Sequence, residues 1–180
     1  THISSALEEH QDERDKRAVA VSLLRAARET ALDQVAVKLA AKPLAARVAT
    51  QAYSKLTDTL VQTTYRLASE HFHPAPSPTN QKRLAVIAVG GYGRGEMALY
   101  SDVDLLFLTS FKVTTWAKSV IETMLYILWD LRLKIGHASR SAYDCLRLGS
   151  EDFTVRTAML ERRYLCGDCE LSADLDQTLS

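Results

Sequence analysis

Cysteine, proline and glycine are sparse in this chain of 180 residues, at three, four and seven. Each shortage excludes something. Cys145, Cys166 and Cys169 give no disulfide framework, so a stapled secreted module is excluded and a reduced, cytoplasmic setting is expected. Cys166-Gly-Asp-Cys169 has the CxxC spacing of a redox pair or half a zinc site. No second CxxC and no histidine at zinc-finger spacing accompany it, which favours ordinary thiols, with Gly167 and Asp168 ending a helix. No apolar run reaches membrane-spanning length, and Thr1-His-Ile-Ser-Ser5 is not a secretory signal. The missing initiator methionine suggests a piece of a longer polypeptide. Charge of either sign is not in excess, with 22 Lys and Arg against 22 Asp and Glu. That balance argues against a nucleic-acid coat or an acidic tail, yet permits a local positive pocket.

With so few breakers, the first seventy residues favour helix. Ala, Leu, Glu, Arg and Lys dominate, and Leu24, Ala27, Ala31 and Val35 recur at three-to-four spacing. Leu56, Leu60, Thr64 and Leu67 repeat the pattern, and Lys42-Pro43 marks a helix boundary. A helical arm over residues 1–75 is expected, serving as a packing and interaction surface. The proline-rich stretch His73-Pro-Ala-Pro-Ser-Pro-Thr-Asn80 separates it from a core over 76–180. Leu84–Val89 and Asp104–Leu108 read as neighbouring strands. Trp116–Leu131 reads as an amphipathic helix, Leu133–Ser139 as a third strand and Asp152–Leu165 as a further helix. The fold class is α+β (α/β-like), a small mixed sheet with helices on it.

Four of the seven glycines fall within one motif, Val86-Ile-Ala-Val-Gly-Gly-Tyr-Gly-Arg-Gly-Glu96, and Tyr100-Ser-Asp-Val-Asp104 follows. Gly90, Gly91, Gly93 and Gly95 let backbone approach phosphate oxygens, and exposed N–H groups of such a turn form an anion nest. Ser101 offers a hydroxyl to a phosphate. Arg94 either neutralises phosphate charge or pairs with Glu96. In a strand, residues i and i+2 share a side, so Asp102 and Asp104 converge on Mg²⁺, or Mn²⁺ in its place, while Val103 enters the core. The motif lacks the Gly-Lys-Ser/Thr ending of a Walker loop. Its acids follow the glycines too soon for a dinucleotide fingerprint.

These residues closely resemble the polymerase-β-like nucleotidyltransferases. More narrowly, the chain resembles the N-terminal domain of bacterial PII uridylyltransferase/uridylyl-removing enzymes. Leu128-Trp-Asp-Leu131, Gly136-His-Ala138 and Asp152–Asp168 extend the likeness over roughly residues 84 to 168. Met97-Ala-Leu99 departs from the more polar or proline-containing linker of that family, a change of loop stiffness more than of chemistry. The resemblance implies metal-dependent transfer of UMP from UTP to a tyrosine hydroxyl of the PII signalling protein, with pyrophosphate released. It implies Asp102 and Asp104 as metal ligands, and Gly90, Gly91 and Ser101 as holders of the triphosphate. It also implies HD-type hydrolase and ACT domains in full-length relatives, neither of which lies within these residues.

The superfamily often adds a third carboxylate on a later strand. Lys134, Ile135 and His137 supply none there, and Asp130 and Asp152 fall outside the expected strand. His137 relays a proton or makes a structural contact, with structure favoured. Trp129 is expected as a core aromatic rather than a base platform, and Tyr92 meets the nucleotide or packs the loop. The rival readings are adenylyl or other nucleotidyl transfer, and an impaired nucleotide-binding regulatory module. No nucleic-acid partner and no membrane are expected.

Overall fold

The computed structural model describes residues 2–10, 12–41, 46–74 and 83–179. The expected boundary at Lys42-Pro43 and most of the proline-rich connection lie outside the described residues. The arm comprises α1 (His2–Glu8), α2 (Glu13–Ala41) and α3 (Ala46–Arg66), which runs on into a π-helical turn over Leu67–Phe72. Leu60, Thr64 and Leu67 are buried as their spacing predicts. On α2 the expected stripe is covered only in part: Leu24 is buried, Ala31 and Val35 are half-buried and Ala27 is exposed, while Ala20 and Val21 extend the buried face toward the start of the helix.

The core follows as β1 (Leu84–Ala88), a short helical turn α4 (Gly90–Gly93), β2 (Val103–Thr109), α5 (Thr115–Asp130) and β3 (Ile135–Ser141). It closes with α6 (Ala142–Glu151), α7 (Phe153–Leu160), β4 (Arg163–Gly167) and α8 (Cys169–Leu179). The strands form one mixed sheet ordered β3-β2-β1-β4. The central pair β1–β2 is antiparallel with Val86 opposite Phe107, and β2–β3 is parallel with Asp104 opposite Gly136. Both central strands are apolar almost throughout because both faces are covered.

Alternation along these strands builds two cores. Leu84, Val86, Val103, Leu105 and Phe107 join α5 and the arm in one buried cluster. Ala85, Ile87, Leu106 and Leu108 join Cys145, Met159, Leu171 and Leu175 from α6, α7 and α8 in the other. The arm therefore shares a core with the sheet.

Three expectations are corrected. The helix expected over Asp152–Leu165 stops at Leu160, and Arg163–Gly167 becomes the edge strand β4, antiparallel to β1. Leu165 is buried between the less buried Tyr164 and Cys166, a period-two pattern inside a segment whose composition favours helix. Gly167 (φ 93°) then ends a strand rather than a helix, and Asp168 opens α8 by accepting from the N–H groups of Glu170 (3.0 Å) and Leu171 (3.2 Å). Trp129 is not a core aromatic. It stays 46% exposed, edge-on to Tyr126 and His137.

The third expected strand is present, displaced to Ile135–Ser141. The three cysteines are free, and burial pushes the Cys166 thiol up to about 12 and Cys145 to about 11, away from reactive thiolate chemistry. No helix of the described residues is long and apolar enough to cross a membrane.

Candidate active site

The glycine motif begins where β1 ends. Val89 is still extended, and Gly90 then takes φ 57°, a left-handed conformation that costs glycine little. The chain coils through one helical turn to Gly93, whose N–H donates to the Val89 carbonyl at 3.2 Å. The first N–H groups of such a turn have no partner within it. At Gly93 a Cβ would stand 1.7 Å from the Glu161 carbonyl oxygen, so this glycine permits close packing against the end of α7.

Tyr92 points inward and is almost fully buried. Its hydroxyl donates to Asp58 of α3 at 2.7 Å, and burial pushes its pKa well above the usual tyrosine value, with Asp58 adding to the rise. Of its two readings, packing is the one observed. Arg94 lies beside Gly91, where a Cβ would be 3.5 Å from its Nη2, and pairs with Glu161 rather than Glu96. Glu96 instead accepts from Arg47 of the arm at 3.1 Å. The reason is local: the turn carries Arg94 toward the end of α7, away from its sequence neighbour.

A tight turn leads to the acids. Ser101 is half-buried, its N–H donates to the Ala98 carbonyl at 3.2 Å, and Tyr100 adopts φ 66°. Asp102 is exposed just before β2, Val103 is buried and Asp104 is half-buried. Asp104 lies on the face of the sheet that bears Leu106 and Leu108. Its carboxylate is close to two glycines: a Cβ on Gly90 would be 3.7 Å from Oδ2, and one on Gly136 only 2.2 Å from Oδ1. Burial first, then the charge of Asp102, holds the Asp104 carboxyl above the ordinary carboxylate range. A notch of about 250 Å³ opens here, with Gly90, Asp104, Gly136, Arg140 and Thr154 among its walls.

Two neighbouring carboxylates, offering oxygen donors only, form a donor set that suits a hard divalent cation. Among the described residues no group of three or more His, Cys, Asp or Glu assembles that could hold a metal ion. β3 contributes no acid, and His137 belongs to the opposite face, edge-on to Phe107 and Trp129. His137 is itself exposed, and its ring contacts are with these two aromatics.

The sequence did not place Gly136 at this site; the parallel register sets it beside Asp104.

Residues 1–133 match the family described as glutamate-ammonia ligase adenylyltransferase. The bifunctional uridylyltransferase/uridylyl-removing enzyme of Ruegeria pomeroyi is 54% identical over 177 residues, 98% of this chain and 20% of that protein. Its counterpart in Cereibacter sphaeroides is 53% identical over 168 residues, covering 93% of this chain and 18% of that protein. That of Caulobacter vibrioides is 52% identical over 122 residues, 68% of this chain and 13% of that protein. The chain thus spans about one fifth of the first two relatives. The small mixed sheet with its covering helices is consistent with a nucleotidyltransferase-like fold, and the family match extends over most of the chain. The chain belongs to the glutamate-ammonia ligase adenylyltransferase family of nucleotidyltransferases.

Proposed function

We propose that this chain transfers UMP from UTP to a tyrosine hydroxyl of a PII signal-transduction protein and releases pyrophosphate. The observation that carries the reading is Asp104, held between Gly90 and Gly136 and one residue from Asp102, in a chain 54% identical to a uridylyltransferase/uridylyl-removing enzyme. Asp102 and Asp104 would hold Mg²⁺, or Mn²⁺ in its place. Such an ion supplies Lewis-acid charge neutralisation at phosphate and acidifies a bound hydroxyl. Gly90 and Gly91 would present backbone N–H groups to the triphosphate, with Ser101 donating its hydroxyl. Gly93 lets the turn lie close to the protein, and Arg94, beside Gly91, adds positive charge.

The acceptor phenolic oxygen bonds to the α-phosphorus as the α–β bridging P–O bond breaks in line. Pyrophosphate leaves with the bridging oxygen, and the phenolic proton passes to solvent. Holding acceptor and α-phosphate in register supplies much of the acceleration. Removal of UMP and glutamine sensing belong, on this reading, to HD and ACT domains elsewhere in a longer cytoplasmic protein.

Adenylyl transfer is the second reading, favoured by the description of the matching family. The test is to incubate the chain with PII protein, Mg²⁺ and α-labelled UTP or ATP. An Asp102→Ala/Asp104→Ala control is run in parallel. Label from UTP on PII that vanishes in the control is expected. Label from ATP alone would establish the second reading. No label from either nucleotide, with nucleotide binding retained, would make the chain a binding module.

A further inference from the structure

The glycine turn is gripped from behind by a single guanidinium. Arg163, the first residue of β4, donates from Nη1 and Nη2 to the two carboxylate oxygens of Asp58 at 2.8 and 3.0 Å. Its Nε donates to the Gly93 carbonyl at 3.1 Å, and Nη2 also donates to the Tyr92 carbonyl at 3.3 Å. The Tyr92 hydroxyl returns to Asp58 at 2.7 Å, and the guanidinium sits 5.5 Å from the Tyr92 ring centroid. The planar fork of arginine can face a carboxylate and two carbonyls at once, which a lysine ammonium cannot reproduce. Three parts of the fold are tied here: α3 of the arm, the glycine turn and the edge strand.

If the arm served packing alone, apolar side chains would fill this position as well. A partly buried ion pair gains little over well-packed hydrophobic residues, and what it adds is fixed geometry. The Asp58 and Arg163 side chains are only 20% and 33% exposed, so the pair is partly shielded from water. The fixed geometry belongs to a turn whose other end, Gly90, adjoins the Asp104 carboxylate.

We propose that Asp58 and Arg163 are positioning residues that set the glycine turn for the nucleotide's phosphates, making the helical arm part of the active-site frame. This rests on the reading that the turn receives the triphosphate. Without the clamp the turn still forms but wanders, so phosphate binding weakens more than the chemical step. A loss of uniform binding appears as a raised KM with kcat retained. A purely structural role would instead lower the active fraction, and with it the apparent kcat, and leave KM alone.

The test compares wild type, Asp58→Asn and Arg163→Lys in UTP-dependent, Mg²⁺-supported labelling of PII, together with equilibrium binding of Mg²⁺–UTP by calorimetry and thermal melting. Asp58→Asn is nearly isosteric and keeps an acceptor, so it remains informative should Arg163→Lys fold poorly. The expected result is a rise of about tenfold in KM and in the UTP dissociation constant for each variant, with kcat within threefold of wild type. UTP affinity and KM within twofold of wild type in folded Asp58→Asn would overturn the positioning role. Failure of the wild type itself to bind or transfer UTP would instead remove the reading on which the clamp rests.

Discussion

Gly136→Ala should inactivate the site while sparing the fold. The parallel register places Gly136 opposite Asp104, and an added methyl would stand 2.2 Å from Oδ1 and 3.5 Å from Cγ. Carbon and oxygen settle at roughly 3.3 Å or more, so the carboxylate must retreat by about 1 Å. A half-buried side-chain end can do this by leaving its rotamer well, at about 1 kcal/mol. Replacing glycine recovers about 0.4–1 kcal/mol through the unfolded chain, so global stability should change by less than about 1 kcal/mol.

The chemistry is less tolerant. A misplacement of about 1 Å costs on the order of 100-fold in rate. The assay is initial-rate UMP transfer at saturating UTP, beside a urea melt of the same preparation. Asp104→Ala/Gly136→Ala should be no slower than Asp104→Ala, because both changes act on one group. A stable Gly136→Ala protein with a rate within threefold of wild type would refute the placement of Asp104 as a working ligand.

Gly93→Ala should do the reverse and damage the fold, since its methyl meets the Glu161 carbonyl oxygen at 1.7 Å and backbone cannot swing aside. A loss of about 3 kcal/mol by urea unfolding is expected, and a wild-type midpoint would contradict it. Arg132→Gly should stabilise the protein. Arg132 (φ 58°) closes α5 in a left-handed cap, its N–H on the Trp129 carbonyl at 2.7 Å and that of Leu133 on Leu128 at 3.2 Å. Relief of that conformation is worth about 1 kcal/mol, visible as a higher melting temperature.

Asp168 should give the protein an acid-labile component. The Arg83 hydrogen bond at 2.5 Å, first among its causes, holds the Asp168 carboxyl below the ordinary value of 3.8. The stabilisation is therefore complete above about pH 4 and lost as pH falls through the depressed value. Arg83→Gln should flatten the stability profile in that window. An unchanged profile would count against the pair.

Much of the frame was legible because its signals are local. The apolar run to Val89, the glycine-rich turn after it and the alternation Asp102-Val-Asp104 each survive into the fold. So does α5, whose Val120, Ile121, Met124 and Leu128 are buried as their spacing requires. The edge strand was hidden because Arg163–Gly167 is short and its partner, β1, lies some eighty residues earlier. α6 carried a readable start in Ser141-Ala-Tyr-Asp144, a capping box in which Ser141 and Asp144 each accept from the other's backbone N–H. Nothing local marks Asp58 or Gly136. One is a carboxylate on a polar stretch of helix and the other a glycine in a weakly alternating strand, and each acquires its meaning only from a partner far along the chain.

The face assignment also bears on how a two-carboxylate centre would work. β3 runs parallel to β2, and the residues sharing Asp104's face are Gly136, Ala138 and Arg140, none of them an acid. The one β3 side chain suited to proton relay, His137, faces α5 across the sheet. Without a third acid beside the pair among the described residues, deprotonation of the acceptor has little help from the protein. An aliphatic alcohol would suffer most, since its pKa lies near that of water, about 15.7. A phenol ionises near 10, which is several kcal/mol easier. On the proposed reading, a tyrosine acceptor is therefore the substrate that this arrangement can best accommodate. The same enzyme offered a PII protein with serine in place of the modified tyrosine should lose transfer far out of proportion to any loss of binding. Equal rates on both acceptors would mean that a base outside this pair does the work.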